Sequence, residues 1–354
     1  MVFIAFIELI NNLPIKKKMN FNGLSTFNPL KCVDFIYHIK HCIVMSKFIV
    51  LLFSISSILL LNSCGSSGLG ETATSGGLNI GIDETLEPIG DAEVDVFKVA
   101  YQNAQVTPLY KSEAEIIAAL LSNNVSTALL TRQLTPEENK VLEERKIKPV
   151  VTPIATDALV LLINKNNPNA NLSYKQLLQI LSGEATDWKQ LNNKQQGKIN
   201  LVFDNPGSSI VNNVLKLTNT AKLPANSYAV KTNTEVIAYV AKNQNGLGIT
   251  SLCWLGDDSN DSINQYYSDV NVLAIGRKDA IKDTIYYQPT QENLVAQNYP
   301  LQRPIMLINR ESRAGLATGF AAFAASERGQ RIVLSAGLFP HYMPTREIIL
   351  KKGF

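Results

Sequence analysis

Three apolar residues, Leu201 to Phe203, run into Asp204-Asn205-Pro206-Gly207, and from Ser208-Ser209 onward Ile210, Val211, Val214, Leu215 and Leu217 recur at helical spacing. The pattern predicts a strand, a tight turn and a helix start. A helix start leaves backbone N–H groups without intrahelical partners and carries the positive end of the helix dipole, so hydroxyls placed there complete a cradle for an oxyanion. Ser208 is equally suited to cap the helix, because serine is a preferred N-cap residue. Both readings stand for this turn taken alone.

The same unit recurs upstream. Leu78 to Ile82 predicts a short strand ending in Asp83-Glu84-Thr85, and Val94, Phe97, Val99 and Ala100 predict the helix behind it. Gln105 to Tyr110 predicts a second strand, followed by Ser112-Glu113-Ala114-Glu115 and the apolar run IIAALLS. Ser112 with Glu115 fits a capping box, so a ligand role and a purely structural one compete there. Thr127 to Thr131 predicts a third strand closed by Arg132, and Thr135-Pro136-Glu137-Glu138 opens the next helix with proline in its first turn. Repeated strand–helix alternation implies an α/β layer with parallel strands, whose ligands sit at the carboxyl ends of the strands.

Lys148 to Asn164 is too long and too apolar for one ordinary strand; it is expected to finish one sheet near Pro153 and begin another after Asp157. Ser173 caps a helix with Leu177, Leu178 and Leu181 on its buried face and Gly183 at its end. Asn233-Thr234-Glu235 opens another helix, and Leu247 to Leu252 predicts a strand. Gly246-Leu247-Gly248 follows a helix instead of opening one, so it is no dinucleotide fingerprint. Near the end, Phe320, Phe323, Ile332 and Val333 predict a last helix stopped by Gly337 and Pro340.

The first 63 residues read differently. Residues 1–44 show no sustained period and are expected to lie outside the fold, with translation starting at Met45. Met45-Ser46-Lys47, the mainly apolar Phe48 to Leu61 and then Leu61-Asn62-Ser63-Cys64-Gly65 form a lipoprotein signal over 45–63. Its 14-residue apolar run spans only about 21 Å, short of a bilayer core of about 30 Å, which favours a cleaved segment over a permanent span. Residues 64–77 are small, polar and patternless, as expected of a flexible tether.

This organisation changes how charge and chemistry are read. The chain of 354 residues carries 33 basic and 30 acidic side chains; six of those lysines and two of those acids precede Cys64, leaving 27 against 28 in the body. A nearly neutral body has no basic footprint for nucleic acid, so an anion must be held locally. Cys253 and His341 are the only cysteine and histidine after Cys64, which disfavours a soft-metal site, a Ser-His-Asp triad and any internal disulfide beyond Cys64. PGSSI does not match the G-x-S-x-G elbow, so no hydrolase and no cofactor is expected. Arg303 and Arg313 are read as surface arginines with a minor chance of lying near a ligand.

The lipoprotein signal, the helix ending SGEATDW, the DNPGSS turn, NQNGLGIT, Tyr299-Pro300-Leu301-Gln302-Arg303-Pro304 and the closing FAAFAASERGQRIVLSAGLFP together resemble phosphate-binding proteins of the PstS type, members of the type II periplasmic binding proteins. The resemblance covers about residues 78–345. It implies two α/β lobes joined by a two-connection hinge, one from 78–155 plus 256–354 and the other from 156–255, with the ligand cleft between them. It further implies a monomer on the periplasmic face of a bacterial membrane, anchored by lipid at Cys64, that binds inorganic phosphate or a related oxyanion and delivers it to the inner-membrane subunits of an ABC permease. A lipoprotein sensor or binding module for another oxyanion is the alternative.

The family's ligand positions match Thr85, the amide of Leu86, Ser112, Gly207, Ser208 and Ser209. Two charged positions depart, Arg132 standing where the family usually has an acid and Asp204 where it usually has an arginine; Ser209 also replaces the family's glycine and Ile210 its threonine. If the two charged residues face the cleft from opposite lobes, Arg132 supplies the cation and Asp204 accepts the proton that hydrogen phosphate carries and sulfate lacks. The competing reading is a salt bridge between the two. The anchor is directly testable. Replacing Cys64 by serine is expected to move the protein from the membrane to the soluble fraction on cell fractionation, and unchanged retention would count against lipidation at this residue.

Overall fold

The computed structural model describes residues 71–191, 197–255, 265–279, 285–311 and 314–344. The expected upstream extension, the signal segment, Cys64 and the first part of the tether lie outside the described residues, as does Arg313. Among the described residues, no helix is long and apolar enough to cross a membrane.

β1 (Gly76–Asp83), a short helical turn at Glu84–Leu86, α1 (Glu87–Ala100), β2 (Ala104–Lys111), α2 (Glu113–Ser122), β3 (Thr127–Leu130) and α3 (Pro136–Glu144) alternate as the apolar pattern requires. β1 pairs in parallel with β2 and with β3. Ordered pairing begins before the expected Leu78, because Thr72 bridges Ser75 and β1 starts at Gly76.

β4 (Val150–Asn164) is a single 15-residue strand rather than the ends of two sheets. What changes along it is the partner. Residues 150–158 pair antiparallel with β12 (Gln302–Asn309), and residues 159–163 pair antiparallel with β8 (Gly246–Ser251). β8 continues to β6 (Asn200–Phe203) and β7 (Ser227–Ala229), giving the order β2-β1-β3-β12-β4-β8-β6-β7. A second partner joins β4 at Ala155–Thr156 and again at Leu162–Asn164, and the strand is buried from Ile154 onward except at Thr156.

The second half of the sheet carries α4 (Tyr174–Ser182), α5 (Ser209–Thr218) and α6 (Asn233–Lys242). Gly183 ends α4 in the left-handed conformation that glycine adopts without strain. β9 (Val270–Val272) pairs with Leu162 to Asn164, and β10 (Ala274–Gly276) pairs with β5 (Asn171–Leu172). Residues 270–276 thus pair with strands of the middle segment, and β10 pairs on its other edge with Tyr286–Tyr287. Leu172, Leu273 and Ile275 are fully buried there, so this edge is sealed by apolar contact that local pattern does not reveal.

The expected last helix is two, α7 (Leu316–Ala325) and α8 (Glu327–Ser335), separated by Ser326. Phe320 and Phe323 meet Phe97 edge-on at 5.2 and 5.3 Å, docking α7 on α1. A Cβ at Gly319 would run into the carbonyl of Ala73, so the segment around Thr72 to Ser75 lies against α7 only because this position is glycine. Gly319→Ala is expected to lower stability by about 1–3 kcal/mol in denaturant unfolding. An unchanged midpoint would show that the 71–75 segment contributes nothing to the fold.

Candidate functional site

Two strand ends meet beside Arg303. At the end of β1, Asp83 Oδ1 accepts the amide of Thr85 at 3.0 Å, closing the turn that buries Thr85 and Leu86 completely. At the end of β6, the chain turns through Asp204 to Gly207, and Ser208 caps α5 by accepting the amide of Val211 at 3.2 Å. The cap uses an oxygen lone pair of Ser208 and not its proton, so capping and donation to a ligand are compatible at this residue. Ser209 begins α5, and its hydroxyl lies 2.9 Å from that of Thr85.

Arg303 spans both turns. Its two terminal nitrogens donate to Ser209 Oγ at 2.8 Å and Thr85 Oγ1 at 3.1 Å, while Nε donates to Asp157 Oδ2 at 2.7 Å. The β12–β4 register sets Arg303 directly opposite Asp157, so the pair is a cross-strand contact with both side chains almost wholly buried. Asp157 also accepts the Ser251 hydroxyl at 2.7 Å and the Leu252 amide at 3.1 Å, which supplies the donors an ionised buried carboxylate needs. Burial opposes the charge of Arg303, but Asp157 and Asp83 outweigh it and raise its pKa. Reading Arg303 as a solvated surface residue is thereby corrected. The available signal was Asp157, a lone acid inside an apolar run, which demanded a buried cation somewhere else in the chain.

Ser112 forms the expected capping box with Glu115, donating to Glu115 Oε2 at 2.7 Å and accepting its amide at 3.4 Å. It also faces the second turn. A Cβ on Gly207 would lie 3.3 Å from Ser112 Oγ, so glycine keeps this approach open. Ser112, Gly207, Ser208, Ser209, Thr85 and Leu86 thus converge as two helix starts and one strand-end turn.

Arg132 does not join them. Its Nε donates to Glu113 at 3.0 Å, its terminal nitrogens donate to the two oxygens of Glu138 at 2.8 and 2.9 Å, and one of these also reaches the carbonyl of Gln133. The expected Arg132–Asp204 bridge is therefore absent, because the Thr135 capping box presents Glu138 in the forked geometry guanidinium favours. Glu113 instead carries the contact onward, accepting the Asn212 amide of α5 at 3.2 Å.

Asp204 is fully buried and accepts Asn233 Nδ2 at 3.4 Å through Oδ2, with Thr250 donating in turn to Asn233. Burial, then the charge of Asp83, pushes its pKa up to about 6 against the opposing Ser208 hydroxyl and Arg303. Burial likewise raises Asp83, opposed by Arg303 and the Ser209 hydroxyl. Cys253 is buried, and its thiol is pushed up by burial first and then by Asp157.

The family described as the PBP superfamily domain matches residues 68–328, well over half the chain. The chain belongs to this superfamily. It is 26% identical over 302 residues to the phosphate-binding protein PstS of Borreliella burgdorferi, covering 83% of this chain and 98% of that protein. Among solved structures, it superposes on an ABC-type phosphate transport receptor from Vibrio cholerae with a TM-score of 0.57 at 22% identity, covering 74% of this chain and 99% of the other. It also superposes on PfluDING, a high affinity periplasmic phosphate-binding protein bound with phosphate, with a TM-score of 0.59 at 14% identity, covering 75% and 90%. The fold is thus the type II periplasmic binding fold, two α/β lobes with a cleft between them.

The two arginines differ in what their loss leaves behind. Arg303→Ala strands a fully buried Asp157 and is expected to cost about 3–5 kcal/mol of stability. Arg132 is about a third exposed, and the buried Glu113 it leaves behind still accepts from Thr131 and Asn212, so its removal is expected to cost less, about 1–2 kcal/mol. Denaturant unfolding of both variants checks the order, and equal costs would refute it.

Proposed function

We propose that the chain binds inorganic phosphate between its two lobes and delivers it to an inner-membrane ABC permease, acting as a binding protein and not as an enzyme. The observation that carries this reading is that Thr85 and Ser209, from the two halves of the sheet, meet on Arg303, with Ser208 next to Ser209 and Ser112 against Gly207. The relatives and structural neighbours named for phosphate binding support it. Hydroxyls and helix-start amides suit a dehydrated tetrahedral anion, which needs many donors and binds poorly if any oxygen is left unpaired.

On this reading the hydroxyls of Thr85 and Ser209 exchange their contact with each other for contacts to the anion. The amides of Leu86 and Gly207 add donors, and Ser112 closes the site from α2. Arg303 supplies the cation in place of Arg132, which acts through Glu113 to position α5. β4 and the returning connection before β12 form the hinge. Cys64 carries the lipid that holds the monomer at the periplasmic face.

Asp204 is the residue that selects among anions. Its buried carboxylate accepts a proton from hydrogen phosphate, whereas sulfate has none to give and meets an unrelieved clash. Titration calorimetry with the two anions is expected to show strong preference for phosphate in the unmodified protein. Asp204→Asn is expected to narrow that preference by about tenfold or more, the effect of about 1.4 kcal/mol of relieved repulsion. Failure to bind phosphate would sink the reading, and an unaltered phosphate-to-sulfate ratio in the variant would remove Asp204 from selection.

A further inference from the structure

Asp204 is not the only carboxylate at the hydroxyl cluster. Asp83 and Asp204 are both fully buried, and each uses one oxygen on a neighbouring donor, Asp83 Oδ1 on the Thr85 amide and Asp204 Oδ2 on Asn233. The other oxygen of each, Asp83 Oδ2 and Asp204 Oδ1, is buried with no hydrogen-bond partner among the described residues. An ionised carboxylate cannot stay buried with half its acceptor capacity unmet unless a donor arrives.

Arg303 lowers the pKa of both carboxylates by its charge but donates to neither of these oxygens. Its donors go to Asp157, Ser209 and Thr85. The other charges acting on Asp83 and Asp204 are Glu113 on α2 and Glu84 in the first turn, and both are acidic. If Asp83, Asp157 and Asp204 were all ionised, the buried site would carry three negative charges against one positive before any anion entered. A dianion bound at the Thr85 and Ser209 hydroxyls would add its charge to this excess, because Asp83 and Asp204 lie close enough to raise each other's charge cost. Burial raises the pKa of Asp83 and, with the neighbouring acids, brings Glu84 to about 7, in keeping with an excess of buried acid.

We propose that Asp83 is a second proton-accepting, specificity-determining residue, so that the site takes phosphate as the singly charged dihydrogen species, with one acidic P–O–H directed at Asp83 and one at Asp204. This rests on the phosphate reading above. No covalent bond changes. The complex holds two acidic protons shared between the anion and the two carboxylates, and it is immaterial whether each is written on phosphate or on aspartate. A site with a single proton acceptor needs only the one proton that hydrogen phosphate keeps in alkaline solution. This site needs one more, and above the second ionisation of phosphate it must take that proton from solvent.

The linkage has a fixed sign. Where the complex holds one proton more than the separated protein and anion, raising the pH weakens binding, by about tenfold per pH unit for one proton. Calorimetry with inorganic phosphate on the full chain, from about pH 6 to about pH 9 in buffers of different ionisation heat, reads both affinity and proton uptake. The expected result is an affinity that falls toward tenfold per unit at the alkaline end, with uptake approaching one proton per phosphate bound. Asp83→Asn, which removes one acceptor and offers an amide donor instead, is expected to flatten that slope. Affinity that stays level or rises with pH in the unmodified protein, with no proton uptake, overturns the proposal without any variant. An unchanged slope in Asp83→Asn overturns the role of Asp83. Absence of phosphate binding at every pH refutes the phosphate reading itself, a result distinct from binding without proton uptake.

Discussion

The ion pair between Arg303 and Asp157 is the constraint on which the rest of the molecule depends. It sits opposite in register on two central strands, one residue before β4 exchanges β12 for β8 as its partner. A charge pair at this place ties the point where the two halves of the sheet join to the two turns that approach each other above it. The same guanidinium that satisfies Asp157 holds Thr85 from one half and Ser209 from the other. Moving either turn therefore disturbs the donors of a buried charge.

Such a pair is a poor source of net stability, because stripping two ions of water costs several kcal/mol each, and Coulomb attraction returns that only with good geometry. Its value lies in orientation. Ser251 and the Leu252 amide complete the shell of Asp157 from the strand β8, so both edges of β4 report on the same carboxylate. Trp254 Nε1 and Cys253 donate to the carbonyl of Thr85, which fixes the first turn at a second atom. The turn is thus held at its amide, its hydroxyl and its carbonyl by three different parts of the chain.

A second tie runs parallel to the first nearer the surface. Arg132 gathers Glu113 and Glu138, and Glu113 reaches Asn212 on α5. The inner tie bears on the first residue of α5 and the outer on its fourth, so together they set the direction in which that helix start points. An anion site made of helix-start amides depends on that direction more than on any one contact, since the donors converge only if the helices aim at a common point.

Local pattern was enough for the elements. Strand-to-helix alternation, the capping boxes at Ser112, Thr135 and Ser173, and the glycine stop at Gly183 follow from side chains interacting within a few residues, and the α/β class with its turn hydroxyls was legible from them. The partner of a charge was not. Asp157 announced a buried acid by standing in an apolar run, but its cation lies 146 residues away, and Arg132 looked the better candidate for the cation of the site because it ends a strand. Only the antiparallel register of β12 on β4 brings Arg303 to Asp157, and only the Thr135 capping box turns Glu138 toward Arg132. In the same way, the continuity of β4 and the pairing of residues 270–276 depend on which strand edges remain unpaired once the sheet has assembled. Backbone pairing between distant segments leaves no periodic trace in either of them, so the tertiary structure alone decided where the charges of this site fall.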